Sequence, residues 1–400
     1  MKLLFICSSL EPGRDGVGDY TRCLAAACIE RGHECAVVAL HDRHVSSTQR
    51  ETQAGLELIR LSSRAEWSDR ITRLRAEAAR FNPHWISWQF VSYGYHPKGR
   101  VPTALIDFAA SFPDRHQHLM LHELWIGLAA GESLTSRLAG WRQRGRLLEF
   151  VRLMRPLRFH TSNAAYQAAL NREGLKAQLL ELFGNIAICP SSPLERNAAL
   201  MRFLPPEAKR RDAFFIALTF GTLHRQWQPG ATFAWLEATA KRRGLKPALL
   251  ISGRAGAHGA EVLAAARRRG IVAAESGEQD NRTISLLLQA ADIGIAPHPW
   301  ALIGKSGVAA AMREHGLPVV VPRDDWRIPH CPLPPMPHDG LLARLQDLDS
   351  PAAVDRWLAA RRTPASLLPS VVDSFLASLP TPLPNAPVTS LFAPPDRQVA

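Results

Sequence analysis

The chain has 400 residues, 46% of them hydrophobic, enough for two α/β cores of roughly 150–200 residues each. Its 48 Lys and Arg against 36 Asp and Glu leave a formal net charge of +12. No apolar run approaches the ~20 residues of a membrane-spanning helix, and the run Leu3–Cys7 behind one lysine is too short for a signal peptide.

In chain order, Leu3–Cys7 reads as a buried strand and opens into the glycine-bearing loop Ser8–Gly18. An amphipathic helix from about Asp19 to Arg31 buries Tyr20, Leu24, Ala27 and Cys28; Gly32 ends it, and Cys35–Leu40 is a second strand. Gly13, Gly16 and Gly18 are spaced G-x-x-G-x-G, not the dinucleotide fingerprint G-x-G-x-x-G, and Asp42 is the only nearby acid. Nicotinamide dinucleotide binding therefore fits poorly. The loop is either a glycine-permissive turn without a ligand or a place where backbone approaches a substrate.

Trp85–Val91 is the next strand and ends in the polar loop Ser92–Gly99. His118–His122 is another, with His122-Glu123 at its carboxyl end. Ser162-Asn163 suits a helix N-cap before Ala164–Leu170, and Leu179–Phe183 closes this half. Ligands of open α/β sheets gather beyond the carboxyl ends of strands. Gly13–Gly18, Gln89–Gly99 and His122-Glu123 all fall at that edge. Gly184–Arg211, punctuated by four prolines, reads as the crossing between domains.

The second half begins with strand Phe214–Phe220, a loop through Trp227 and a helix from about Gly230 to Arg243. Strand Pro247–Ser252 leads to Gly253-Arg254 and a helix, and strand Ile271–Glu275 leads to Ser276-Gly277 and a helix over Arg282–Ala291. Asp292–Pro297, Gly304–Gly307 and His315–Val321 then spell strand, helix entry, strand, a βαβ unit of a parallel sheet. Lys305, Ser306 and Gly307 stand where the helix begins, and the unpaired N–H groups and positive dipole end there suit a phosphate. Helices are predicted at Leu341–Leu348, Ala352–Arg361 and Ser366–Leu379, and the chain from Pro380 reads as a disordered tail.

Arginines cluster from Trp141 to Arg158 without the interleaved aromatics of a nucleic-acid module, so no nucleic-acid partner is expected. A solvated helix face and a face laid against anionic lipid both fit. The six cysteines form no CxxC pair, which points to reduced thiols in the cytoplasm.

Taken in order, several segments resemble one family: Gly16-Val-Gly18 with Arg31-Gly-His33, His122-Glu123, Phe220-Gly-Thr222, Ser252-Gly253, Ala290–Pro297 and Gly316–Val320. The family is the bacterial GT-B glycosyltransferases, in particular the large retaining family 4 group (glycosyl transferases group 1), of which this chain looks like a divergent branch. The likeness covers roughly residues 1–325. It implies an α/β fold of two facing Rossmann-like domains with an interdomain cleft. Residues 1–190 would form the acceptor-side domain and 191–350 the nucleotide-sugar domain; 351–379 would be helices packing back toward the first domain, and 380–400 the Pro-rich tail. It further implies a cytoplasmic enzyme of polysaccharide biosynthesis, at the inner face of the membrane where the acceptor is lipid-linked. Such an enzyme moves a sugar from a nucleotide-diphosphate sugar to a glycan, lipid-linked or small-molecule acceptor, with retention and without a metal.

Carried over residue by residue, the likeness places Gly16 and Gly18 beside the donor diphosphate and sugar. His122 would face the sugar, with Glu123 as the second catalytic candidate. Gly221, Thr222, Lys305, Ser306 and Gly307 would cradle phosphates, and Ser276 and Gly277 would lie near the nucleobase. The family's Gly-Arg…Lys clamp reads Gly221-Thr222…Trp227 here, leaving Arg225 and Arg254 as substitutes. Its Glu-x7-Glu pattern is absent, with Ile303 and Ala310 in the stretch where the glutamates would be expected. Two other classes fit the same segments: a non-catalytic GT-B-fold glycan-assembly or binding protein, and a sugar-nucleotide epimerase, whose acidic constellation is not visible.

Overall fold

A computed structural model describes residues 1–111, 116–206, 210–329, 331 and 340–380. The tail expected from residue 380 lies outside the described residues from 381 onward. The chain divides into two compact units. One comprises Met1–Glu181, Ile328–Cys331 and the chain from Leu368; the other comprises Leu182–Arg327 and Pro332–Leu367.

The first unit runs β1 (Lys2–Cys7), α1 (Gly16–Glu30), β2 (Glu34–Asp42), β3 (Gln49–Gln53), β4 (Leu56–Ser62), α2 (Trp67–Phe81), β5 (Trp85–Phe90), α3 (Ser92–Tyr95), α4 (Thr103–Ala110), β6 (Gln117–Leu121), α5 (Leu134–Met154), β7 (Arg158–Thr161), α6 (Ala164–Arg172) and β8 (Gln178–Leu179). Its sheet has the order β3-β4-β2-β1-β5-β6-β7-β8, parallel except for the β3–β4 hairpin. In β5, Trp88 and Phe90 point to one face and meet Phe108 of α4 and Phe150 of α5. Ser87 and Gln89 point to the other face, where the polar residues of β6 and β7 join them.

The second unit runs α7 (Pro193–Met201), β9 (Phe214–Phe220), α8 (Gly230–Arg242), β10 (Lys246–Ser252), α9 (Gly256–Arg268), β11 (Val272–Gly277), α10 (Asn281–Ala290), β12 (Ile293–Ile295), α11 (Gly307–Glu314), β13 (Val319–Val321), β14 (Leu342–Arg344) and α12 (Pro351–Leu358). The sheet order is β11-β10-β9-β12-β13-β14, and every pairing is parallel. Strand β9 is buried along its whole length because both its faces are covered. Ile216 and Leu218 join a core layer with α7, α10 and α11, while Phe215 and Ala217 join the opposite layer with α8, α9 and α12.

Several boundaries differ from the sequence reading. Helix α1 begins at Gly16 rather than Asp19, because Asp15 accepts from the Val17 and Gly18 N–H groups and nucleates the first turn early. The basic helix starts at Leu134 and ends at Met154. Arg155 is its left-handed cap (φ 49°), and Arg158 already belongs to β7. The last strand of the first unit is only Gln178–Leu179, and the unit boundary follows at Glu181, so the stretch from Leu182 to Pro190 belongs with the second unit. Leu341–Leu348 forms β14 and a short 3₁₀ turn rather than a helix; hydrogen bonding beside β13 overrides its helical spacing. Helix α12 belongs to the second unit. Helix α13 (Leu368–Ser378) belongs to the first and packs on α1, with Phe375 fully buried and Asp373 paired to Arg31 at 2.6 Å.

Candidate functional site

In the second unit the strand order, counted along that unit, is third, second, first, fourth, fifth, sixth. Chain direction across the sheet reverses between β9 and β12, and the crevice beyond their carboxyl ends is the default ligand position of such a sheet. Three glycines cap the adjacent strand ends: Gly221 after β9, Gly253 after β10 and Gly277 at the end of β11, at φ +79°, +97° and +66°. Their N–H groups link the strand ends laterally, Gly221 to the Ser252 carbonyl at 2.9 Å and Gly253 to the Gly277 carbonyl at 2.8 Å. A β-carbon on Gly253 would stand 3.1 Å from the Gly221 nitrogen. Both the left-handed backbone and this close approach therefore require glycine there.

The first turn of α11 closes the crevice. A β-carbon on Gly221 would touch the Val308 side chain at 3.4 Å, which puts the helix entry against the Gly221 turn. Lys305 ends a 3₁₀ turn, Trp300–Lys305, and Ser306 caps α11 by accepting from the Ala309 N–H at 3.2 Å. Ser306 is buried and its hydroxyl is already engaged, whereas Gly307 is exposed at the entry. At Ser306 and Gly307, then, only backbone N–H groups remain as ligands for phosphate.

The same edge holds a group that sequence reasoning missed. Arg323, 5% exposed, donates to Asp325 at 2.9 and 2.6 Å, to Gln226 Oε1 at 2.9 Å and to His224 Nδ1 at 2.7 Å. A guanidinium only donates, so His224 accepts through Nδ1 and is neutral with its proton on Nε2. His298 packs edge-on to His224, with ring centroids 6.2 Å apart, and its Nδ1 lies 3.2 Å from Ser306 Oγ. Burial, followed by the nearby Lys305, His224 and Arg323, holds His298 down to about 4. Burial and Arg323 likewise lower His224. Lys305 is thus close enough to act on both rings. The Arg323 charge is matched by Asp325, and Lys305 adds a second positive charge beside the two histidines.

The remaining sequence candidates in this unit fall into place around that core. Thr222 and Arg225 are exposed on the loop after Gly221. Arg254 lies 3.2 Å from Glu278, which offsets its charge. The Ser276 hydroxyl is held between Ser252 Oγ at 2.9 Å and the Gly277 carbonyl at 3.1 Å. Trp227 is buried core whose indole N–H lies 3.4 Å from Thr232 Oγ1. A signal for the missed residues existed. Pro297-His298-Pro299 cannot continue a strand, and Arg323 directly follows the Val319–Val321 run and Pro322.

In the first unit the glycine loop is closed by its own carboxylates. Asp15 accepts from Val17 N at 3.0 Å and Gly18 N at 2.8 Å, and Asp19 accepts from Gly13 N at 3.0 Å. The anion at this helix entry is thus supplied by the protein. A β-carbon on Gly18 would lie 2.2 Å from the Ser9 carbonyl oxygen, while one on Gly16 would meet nothing. Gly18 is accounted for by packing and Gly16 by neither packing nor backbone angle.

His122 stands at the carboxyl end of β6, 6% exposed, edge-on to Tyr20 at 5.1 Å. Its Nε2 lies 3.0 Å from Gln89 Oε1, an atom that can only accept, so Nε2 carries the proton and Nδ1 the lone pair. The chain continues inward from Gln89 Nε2 to Ser87 Oγ at 2.9 Å, Ser87 to His118 Nδ1 at 2.8 Å, and His118 Nε2 to His160 Nδ1 at 3.0 Å. Burial pushes His122 down to about 3, and burial followed by Arg158 pushes His160 down to about 4. Burial and the two neighbouring histidines hold His118 well below its ordinary value. At neutral pH His122 can therefore orient and accept a hydrogen bond through Nδ1 but is not the imidazolium that a general acid would need. Glu123 is half-buried beside it and has an interaction of its own.

These histidines set the acid stability. In the unfolded chain they take up protons near pH 6.5; in the folded chain His160 does so only near 4 and His122 near 3, and His118 is shifted in the same direction. Between those values the unfolded state binds more protons, so stability is full above about pH 6.5 and falls as pH drops. Glu314, raised to about 7 mainly by burial, acts in the opposite sense, its contribution being lost as pH rises from about 4.5. Three histidines outweigh one glutamate. The urea midpoint is expected to decline from pH 6.5 to 4.5, and a His160→Gln variant should decline less steeply; a flat midpoint over that range would refute the assignment.

No protein-family model matches the chain, and no curated protein matches it by sequence. Solved structures do match, over nearly its whole length. Sucrose-phosphate synthase from Thermosynechococcus elongatus is 16% identical with a TM-score of 0.59, covering 94% of this chain and 94% of that one. Anabaena HepE, solved with UDP, is 15% identical with a TM-score of 0.56, covering 95% of this chain and 99% of that one. WaaG, a glycosyltransferase of lipopolysaccharide biosynthesis, is 13% identical with a TM-score of 0.54, covering 94% of this chain and 99% of that one. The fold is that of the GT-B glycosyltransferases, as the sequence resemblance implied.

Proposed function

We propose that this protein is a glycosyltransferase that takes a sugar from a nucleotide-diphosphate sugar and passes it, with retention, to a glycan or lipid-linked acceptor. The observation that carries this reading is the arrangement at the reversal point of the second sheet. The α11 entry presents its backbone N–H groups against the Gly221 turn, with Lys305 beside them and Arg323 held by His224, Gln226 and Asp325. Such an array suits a departing diphosphate, whose charge grows in the transition state; preorganised donors stabilise it without reorganisation. The reading is supported by neighbours of the same fold solved with UDP or UDP-glucose and with ADP and acarbose.

In this proposal positive charge from Lys305 replaces a metal, and the Ser252–Ser276 edge with Gly277 borders the nucleobase. His122 and Glu123 serve the acceptor side, His122 as a neutral, fixed hydrogen-bonding group. Two measurements test it. Nucleoside diphosphates should raise the melting temperature, a ligand at 100 times its Kd adding about 2.7 kcal/mol. Donor sugars should then be hydrolysed or transferred in the presence of EDTA. Stabilisation without any turnover across donors would favour the non-catalytic binding protein instead, and no stabilisation by any nucleotide would reject the donor site.

A further inference from the structure

The inner face of α5 is accounted for by the core: Gln143, Leu147, Phe150, Val151 and Met154 are buried, and Gly140 lies against the Ile126 carbonyl, where a β-carbon would come within 1.9 Å. Its outer face has no such partner. Leu134, Leu138 and Trp141 are 80%, 53% and 65% exposed. At spacings of four and three residues they form one stripe, which Gly145 and Arg152 extend along the helix. Single exposed apolar residues are ordinary, but three on one stripe ending in a tryptophan are a patch that asks for a partner.

Charge says which partner. Helix α5 carries five arginines and one glutamate. Arg144 pairs with Glu173 and Arg146 with Glu149. Arg137, Arg142 and Arg152 are exposed and have no acidic partner among the described residues, and neither has Arg100 nearby. Arg100, Arg142, Arg144, Arg146 and Arg152 line, with Trp141, a surface pocket of about 760 Å³ beside the helix. An apolar stripe with a tryptophan, flanked by unneutralised arginines beside a basic recess, is the pattern of a helix lying in the plane of an anionic lipid interface. No helix among the described residues is long and apolar enough to cross a membrane, so the pattern describes a surface contact.

We propose that the outer face of α5 docks on anionic phospholipid, with Leu134, Leu138 and Trp141 entering the headgroup region and Arg142, Arg152 and Arg100 holding the phosphates. The inference is independent of the sugar-transfer reading. It commits to lipid because the apolar stripe and the cations lie side by side, and a soluble anion would use only the second of these.

The test is co-sedimentation of the full chain with vesicles of phosphatidylcholine alone and of phosphatidylcholine mixed with phosphatidylglycerol. Binding is expected only to the mixed vesicles and should weaken steeply as salt shortens the range of the exposed charges. Arg142→Gln and Arg152→Gln should each reduce the partition coefficient about fivefold, and the effects should be close to additive. Leu138→Gln with Trp141→Gln should reduce it further without changing the salt dependence. All four positions are exposed, so the melting temperature should not move. Equal binding to both vesicle types would overturn the proposal, as would a double apolar variant that binds like the parent. A dimer in solution that Leu138→Gln dissociates would also overturn it, by assigning the stripe to a second copy of the chain.

Discussion

Lys305→Ala is expected to weaken nucleoside-diphosphate binding by roughly ten- to a hundredfold while leaving helix α11 and the fold intact. Charge-assisted contacts to phosphate contribute about 1.5–3 kcal/mol, which sets that range. Lys305 precedes the Ser306 cap of α11, where a positive charge opposes the helix dipole, so its removal costs the helix nothing. Arg225→Ala and Arg254→Ala are the comparators. Arg254 faces Glu278 at 3.2 Å and Arg225 is exposed on its loop, so each should lose less affinity than Lys305→Ala. Calorimetric titration of the three variants with the same diphosphate decides the matter. A collapse of affinity confined to Arg225→Ala would move the phosphate site onto the loop after Gly221, and unchanged affinity in all three would remove it from this edge.

The second large effect is on stability. Gly18→Ala should destabilise the ligand-free protein by about 1–3 kcal/mol or more, because the new methyl group would collide with backbone on a packed turn. Its position, 2.2 Å from the Ser9 carbonyl oxygen and 3.3 Å from the Leu10 α-carbon, leaves no flexible side chain to move aside. Gly16→Ala should be neutral or slightly stabilising, since that position is exposed, helical and open around a new β-carbon. Urea denaturation without nucleotide separates the two. Equal stability of both variants would mean that Gly18 is not held by packing and would return both glycines to a ligand-facing role.

Much of the fold was legible in the chain. Runs such as Leu3–Cys7 and Phe214–Phe220, apolar on both faces, can only be strands of a covered parallel sheet. Asn163 was readable as a cap, and its side chain does accept from the Tyr166 N–H at 2.9 Å. Less legible were the elements whose partners are distant. Strand β3 is exposed at all five positions and carries no periodic signal; it exists because β4 lies beside it. Leu342–Arg344 is a strand for the same reason, although its neighbours alternate like a helix.

The site divides along the same line. Local sequence determined where the strands end in glycine and where a helix begins after a lysine, since left-handed backbone angles and capping hydroxyls are properties of a few adjacent residues. It therefore located Gly221, Gly277, Lys305 and Ser306 at strand or helix ends. Only the tertiary structure decided which neighbours each one meets. Arg323 reaches His224 and Gln226 across about a hundred residues because β13 and β9 both flank β12, and the Pro299–Arg323 bridge holds the chain after β13 against the chain after β12. His122 is neutral because β5 and β6 stack Gln89, Ser87 and His118 behind it in a buried row. Burial and charge pairing are sums over groups far apart in the chain, so the side chains were visible in the sequence and their protonation and partners were settled by packing.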